Sequence, residues 1–210
     1  MFRYLVNVPA TDPDAVEAWS QLGFGQMHCA AIRSTDASDL GAADPSIVVR
    51  AGGQGDEAIM SVASELIWRE QASPPSWSPM LPERIEPNRA DWIEELTLGD
   101  PIWIAEDATS HEPLGASVSY PLDPDLDIPD ANIKLASTAT FPAARRRGVG
   151  RALLRQVLTD GAQRGAPWCV TDWRTSSLLA SRAWTGLGFV RTRVRLERLI
   201  DPRVAWAQGA

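Results

Sequence analysis

Seven consecutive residues, Arg145-Arg146-Arg147-Gly148-Val149-Gly150-Arg151, gather four guanidinium groups about two glycines in a chain of 210 residues. Arginine presents forked donors that match phosphate oxygens, and glycine lets a ligand reach the main chain without a Cβ in the way. The chemistry such a run can do is to hold an anion of the phosphate kind. Two better-known phosphate loops do not fit, because no Gly-Lys-Ser/Thr follows and a dinucleotide fingerprint wants Gly or Ala where Leu153 stands. What remains is Arg-x-x-Gly-x-Gly, with an ordinary glycine-rich strand-to-helix turn as the plain alternative.

The elements on either side say how this run is positioned. Ile133, Leu135, Ala139 and Phe141 alternate with Lys134, Ala136, Thr138 and Thr140, whereas Val149, Leu153 and Val157 recur every four residues. The hydrophobic period therefore changes from two to about 3.6 across Pro142–Gly150, from a strand to a helix. The first amide N–H groups of that helix have no intrahelical partners and, with its dipole, face whatever sits before them. A pyrophosphate suits such a corner.

Length and charge set the wider limits. The chain is long enough for a full core, and its net charge of −7 conceals a split. Residues 131–210 carry 14 basic side chains against four acidic ones, while the remainder carries 6 basic and 23 acidic. The cationic part holds the phosphate corner. Nucleic acid is disfavoured, since no aromatic residues interleave the arginines for stacking. The acidic part is either a solvated surface or the approach for a cationic substrate. No basic leader precedes an apolar core and no apolar run nears 18 residues, so no membrane is expected and the cytoplasm is the expected compartment. Cys29 and Cys169 read as buried free thiols, His28 and His111 as a strand and a turn residue, and no metal is expected. Asp123, Asp125, Asp127 and Asp130 resemble a calcium loop in charge only and read as solvated.

In chain order, Arg3–Val8 reads as a strand, and Asp12 caps a helix with Pro13 in its first turn and Gly23 at its end. Phe24–Ile32 is a second strand. The same unit returns at an offset of 165: Ala18-Trp19, Leu22-Gly23-Phe24 and Ala15 are answered by Ala183-Trp184, Leu187-Gly188-Phe189 and Ala180. Residues 34–46 read as a linker. Then follow a strand at 47–50, helices at 57–68 and 89–98, and strands at 102–106 and 114–122 joined as a hairpin. The proline-rich loop from Ser73 to Pro82 between the helices suits a lid. After the corner come a strand at 168–173, a helix at 178–187 capped by Ser176 or Ser177, and a last strand at 190–199. The class is mixed α/β.

The strand, Arg-x-x-Gly-x-Gly and helix resemble motif A of the GNAT superfamily of N-acetyltransferases. Ser177-x-x-Ala180-x-x-Ala183-Trp184-x-x-Leu187-Gly188-Phe189 resembles its second motif. The element order from Ile47 to Asp201 is similar to the GNAT fold, an α/β fold around a mixed sheet. The resemblance implies a domain at 47–201 that binds acetyl-coenzyme A (acetyl-CoA), with amides of Ala139 and Thr140 on the pantetheine arm and thioester carbonyl. The loop of Arg145, Arg146, Arg147, Gly148, Val149, Gly150 and Arg151 then takes the pyrophosphate. It implies direct attack by the amine of a small molecule, cationic by the charge split, with a non-catalytic acyl-CoA-binding or scaffold protein as the alternative.

Two departures bear on catalysis. Ser177 replaces the family's helical Asn, and Trp184 replaces a Tyr often used to protonate the departing thiolate; an indole N–H cannot serve as that acid. For the base, Glu106, Asp172 and a water held by Ser137 or Thr138 stand open. Residues 1–33 are similar to the last third of a GNAT domain, as in tandem members with one degenerate copy, here a copy without its front half. That fragment is expected to dock through Trp19, Leu22 and Phe24 on the main domain or on a partner chain, a homodimer included, unless Met1 is an internal start.

Overall fold

Every element read from the hydrophobic pattern is present in the computed structural model, which describes residues 2–78 and 81–204. In chain order these are β1 (Phe2–Pro9), α1 (Pro13–Gln21), β2 (Gly25–Ser34), β3 (Ile47–Ala51), α2 (Glu57–Ala72), α3 (Ile85–Leu98), β4 (Ile102–Asp107), β5 (Pro113–Tyr120), β6 (Asn132–Thr140), α4 (Val149–Gln163), β7 (Trp168–Arg174), α5 (Leu178–Gly186) and β8 (Val190–Ile200). The fold is mixed α/β with the GNAT element order.

Residues 33–171 form one compact unit. Its strands run in the order β7-β6-β5-β4-β3, with β6 and β7 parallel and the other neighbours antiparallel. On one face Ile102, Ile104, Ala116, Val118 and Ala139 pack with Met60 and Ala63 of α2, and Trp92, Ile93 and Leu96 of α3 close over them. On the other, Ile47, Ala105 and Leu114 meet Val149 and Leu153 of α4. α3 begins at Ile85, four residues before the sequence reading. Pro87 is tolerated because it lies in the first turn, where its missing N–H has no helical partner to lose. β5 stops at Tyr120 because the side chain of Asn132 takes both main-chain groups of Leu122, at 3.0 and 2.9 Å. The stretch expected as a linker is ordered: Leu40 is buried, and the Arg33 guanidinium donates to Asp36 O and to the Asp39 carboxylate.

Residues 2–32 and 172–204 form the other unit. The segment from 172 to 201, expected to belong with residues 47–171, groups instead with the N-terminal residues, because β8 lies between β1 and β2 and pairs antiparallel with both. The last residues of β7 run beside β2, where the Cys29 thiol points at Trp173 O and Thr175 N–H donates to Met27 O at 3.2 Å. The offset of 165 superimposes α1 on α5 residue for residue. Both helices are capped alike, by Asp12 Oδ1 accepting from Ala15 N–H and Ser177 Oγ accepting from Ala180 N–H. Both end at a left-handed glycine, Gly23 and Gly188, which folds Phe24 onto Trp19 and Phe189 onto Trp184 in edge-on pairs. Of the three residues expected to dock this fragment, Trp19 and Phe24 are partly buried within the chain, while Leu22, the C-cap of α1, is 57% exposed.

Candidate active site

β6 is built for an interrupted sheet edge. Val118 faces Ser137 and Ser119 faces Leu135, so Ala136 is an extra residue that bulges the strand. Its parallel pairing with β7 ends at Leu135 and Thr171, and beyond that point β6 pairs with β5 alone. The main chain of Ala136–Thr140 therefore keeps one edge without a strand partner in this unit. Ala139 and Thr140 lie on that stretch, Ala139 turned to the α2 side and the Thr140 hydroxyl toward Gly150 of α4.

The chain leaves β6 through a 3-10 turn at Pro142–Ala144 and enters α4 through Arg146 and Gly148, whose φ angles are +65° and +89°. Left-handed residues at this spacing turn successive N–H groups to one side. No side chain caps α4 at Gly148, so its first amides are not satisfied by the helix or by a cap. Close approach of helix and sheet needs Gly115: a Cβ there would lie 2.3 Å from Ala139 O and 3.1 Å from Val149 Cγ1. Of the four arginines, Arg147 is committed to Asp107 at 2.7 Å. That hydrogen bond, aided by the N–H groups of Thr109 and Ser110, draws the Asp107 carboxyl down to about 2. Arg145, Arg146 and Arg151 are exposed and make no ion pair among the described residues. The corner thus offers main-chain donors and three uncommitted guanidinium groups, a set that fits a pyrophosphate.

The expected catalytic residues are placed less simply. Glu106 does not stand free at a strand end. Its carboxylate accepts from Arg50 Nε at 2.7 Å, and the same guanidinium holds both oxygens of Asp56 at 2.7 and 2.8 Å. Arg50 in turn holds the Asp56 carboxyl below its ordinary range. Asp172 is paired with His28 Nε2 at 2.9 Å. Ser177 serves as the N-cap of α5. On β6, Thr138 Oγ1 is buried without a partner, as is Ser117 Oγ directly opposite on β5. The sequence reading missed Glu95 on α3. Its Oε2 is buried and unpartnered, and burial first, then Asp100, Glu94 and Asp91, pushes its carboxyl up. Its place one turn after Trp92, in the stripe that packs on the sheet, was the available signal. Among the described residues no three His, Cys, Asp or Glu side chains group as a metal site, and no helix is long and apolar enough to cross a membrane.

The family model described as Acetyltransferase (GNAT) family matches residues 65–189, so the chain belongs to the GNAT acetyltransferase family. Among solved structures, a GCN5-related N-acetyltransferase from Sphaerobacter thermophilus is similar at 18% identity and a TM-score of 0.58, over 95% of this chain and 61% of that one. A tandem GNAT protein from the clavulanic acid biosynthesis pathway is similar at 16% identity and a TM-score of 0.55, over 93% of this chain and 63% of that one. An aminoglycoside N-acetyltransferase in complex with CoA is similar at 20% identity and a TM-score of 0.54, over 74% of this chain and 92% of that one. No curated protein matches the sequence.

Proposed function

We propose that the protein moves an acetyl group from acetyl-CoA to the amine of a small cationic molecule by direct attack. The observation that carries this reading is the uncapped N-terminus of α4 behind left-handed Gly148, ringed by unpaired Arg145, Arg146 and Arg151. In this reading the amides of Gly148, Val149, Gly150 and Arg151 and those three arginines take the pyrophosphate. The free edge of β6 at Ala139 and Thr140 holds the pantetheine arm and polarises the thioester carbonyl. The acceptor side is the α2 and α3 face, where the excess of acidic residues raises the local concentration of an ammonium group.

Attack needs the free amine, so a proton must leave as the N–C bond forms and the C–S bond breaks. Glu106 and Asp172 are each held by a basic side chain. A water bound by Ser137 or Thr138 is the base this reading favours, and Thr138 Oγ1 has an unused hydrogen-bonding position for it. The departing thiolate takes its proton from solvent, because Trp184 supplies no acid; a thiol of pKa about 8.5 is a fair leaving group.

The test pairs calorimetric titration of acetyl-CoA with thiol release measured over a panel of polyamines, aminoglycosides and neutral amines. Binding and turnover on the cationic members, falling as salt rises, is the expected result. Absence of acetyl-CoA binding overturns the reading, and binding without turnover on any amine turns it into a non-catalytic acyl-CoA-binding protein.

A further inference from the structure

The two repeats of the unit built from residues 2–32 and 172–204 agree in their elements but differ beneath their helices. Under α1, Val8, Val16, Val194 and Leu196 form an apolar cluster with Trp19 and Phe24. At the offset of 165, Val8 is answered by Trp173, Val16 by Ser181 and Gln26 by Arg191. These three residues meet. The Arg191 guanidinium carbon lies 5.7 Å from the Trp173 ring centroid, and its Nη2 donates to Ser181 Oγ at 2.8 Å. Trp173 is only 5% exposed, yet its indole N–H finds no acceptor, and neither does the buried Nε–H of Arg191.

Both orphaned groups are donors that cannot accept. Leaving one such group buried and unpaired typically costs about 1–3 kcal/mol, so two side by side call for an acceptor. The charge is also unbalanced. Asp172 is engaged by His28 Nε2, and burial pushes the Cys29 thiol up to about 11, which keeps it neutral. No carboxylate pairs with Arg191 among the described residues. A water could accept from both donors, whereas a single negative charge satisfies them and also faces the half-buried guanidinium.

We propose that Trp173 and Arg191, with the Ser181 hydroxyl, bind one small monovalent anion, a halide or a simple carboxylate, beneath α5. The site does not rest on the acyl-transfer reading. Thermal unfolding of the full chain, followed in sodium chloride, bromide or formate at an ionic strength held constant with sodium sulfate, should show a rise in Tm of about 3 °C or more in the small anions. Arg191→Met and Trp173→Phe should each remove that dependence, whatever their own Tm. A bromide-soaked crystal should give an anomalous peak within hydrogen-bond reach of the indole and Nε nitrogens. A Tm that ignores the anion, a dependence that survives Arg191→Met, or a water with no bromide signal at that place overturns the proposal.

Discussion

Replacing Gly150 by alanine should make the protein more stable and a poorer ligand for acetyl-CoA at once. The position is the second residue of α4, its φ is not left-handed, and a Cβ built on it meets only Thr140 Oγ1 at 3.8 Å, an ordinary contact. Alanine therefore fits without strain, and its helix propensity is worth about 0.5–1 kcal/mol over glycine. In a helix, however, the Cα–Cβ bond tilts toward the N-terminus, which here is the open side that Gly148 and the unpaired amides face. A methyl group there holds phosphate oxygens off the main-chain donors. One hydrogen bond to a charged group is worth about 1.5–3 kcal/mol, which is roughly ten- to hundredfold in affinity. Urea unfolding gives the first quantity and calorimetric titration the second. Gly148→Ala should lose stability by about 1–2 kcal/mol from its left-handed φ alone, and Gly115→Ala should lose more, since its Cβ would sit 2.3 Å from a carbonyl oxygen that β5–β6 pairing holds in place. If Gly150→Ala binds acetyl-CoA as tightly as the parent, the corner is not the pyrophosphate site.

Removing Arg50 as Arg50→Met leaves the largely buried carboxylates of Asp56 and Glu106 facing each other, and chemical denaturation should show a loss of about 1–2 kcal/mol; the cost is below that of a fully buried pair because Arg50 keeps 39% of its side chain in water. The folded-state pKa values of Asp56 and Asp107 are depressed, so the stability they add is present above about pH 4 and is lost as pH falls through them, toward pH 2 for Asp107. Asp107→Asn should flatten that acid limb in a pH series of unfolding curves, and an unchanged limb refutes the assignment. Burial pushes the Cys29 and Cys169 thiols up to about 11 and about 12, so a colorimetric disulfide reagent at pH 8 should find neither in the native protein and both after denaturation. Replacing Thr138 by valine should lower kcat more at pH 7 than at pH 9, where the amine deprotonates without help, while Thr138→Ser restores the parent profile.

What the sequence makes legible is what local chemistry decides. The alternation through Ile133–Phe141 and the four-residue recurrence from Val149 fix a strand and a helix whatever surrounds them, so the corner between them could be read from a single chain. The repeat at 165 was legible for the same reason, since a cap, an inward Trp and a left-handed glycine make one small unit wherever they recur. Boundaries set by distant partners were not. β5 ends where Asn132, ten residues on, takes the Leu122 main chain, and residues 172–201 group with the N-terminus because β8 finds β1 and β2, a pairing across nearly the whole chain. Charge is the hardest of all to place. Glu106 looked like an available base because a sequence shows a carboxylate but not its partner, and its partner Arg50 lies on the neighbouring strand. Likewise the four arginines of the run 145–151 looked equivalent until Asp107 took Arg147, leaving Arg145, Arg146 and Arg151 without an ion pair among the described residues. Thr138 stood in the sequence only as one of several candidates for holding a water, and Ser117 opposite it carried no sequence signal; that both hydroxyls are buried without a partner is visible only in the fold. A hydroxyl is bland until its neighbours fail to satisfy it, and for that reason the proton's route was the last part of the chemistry to come into view.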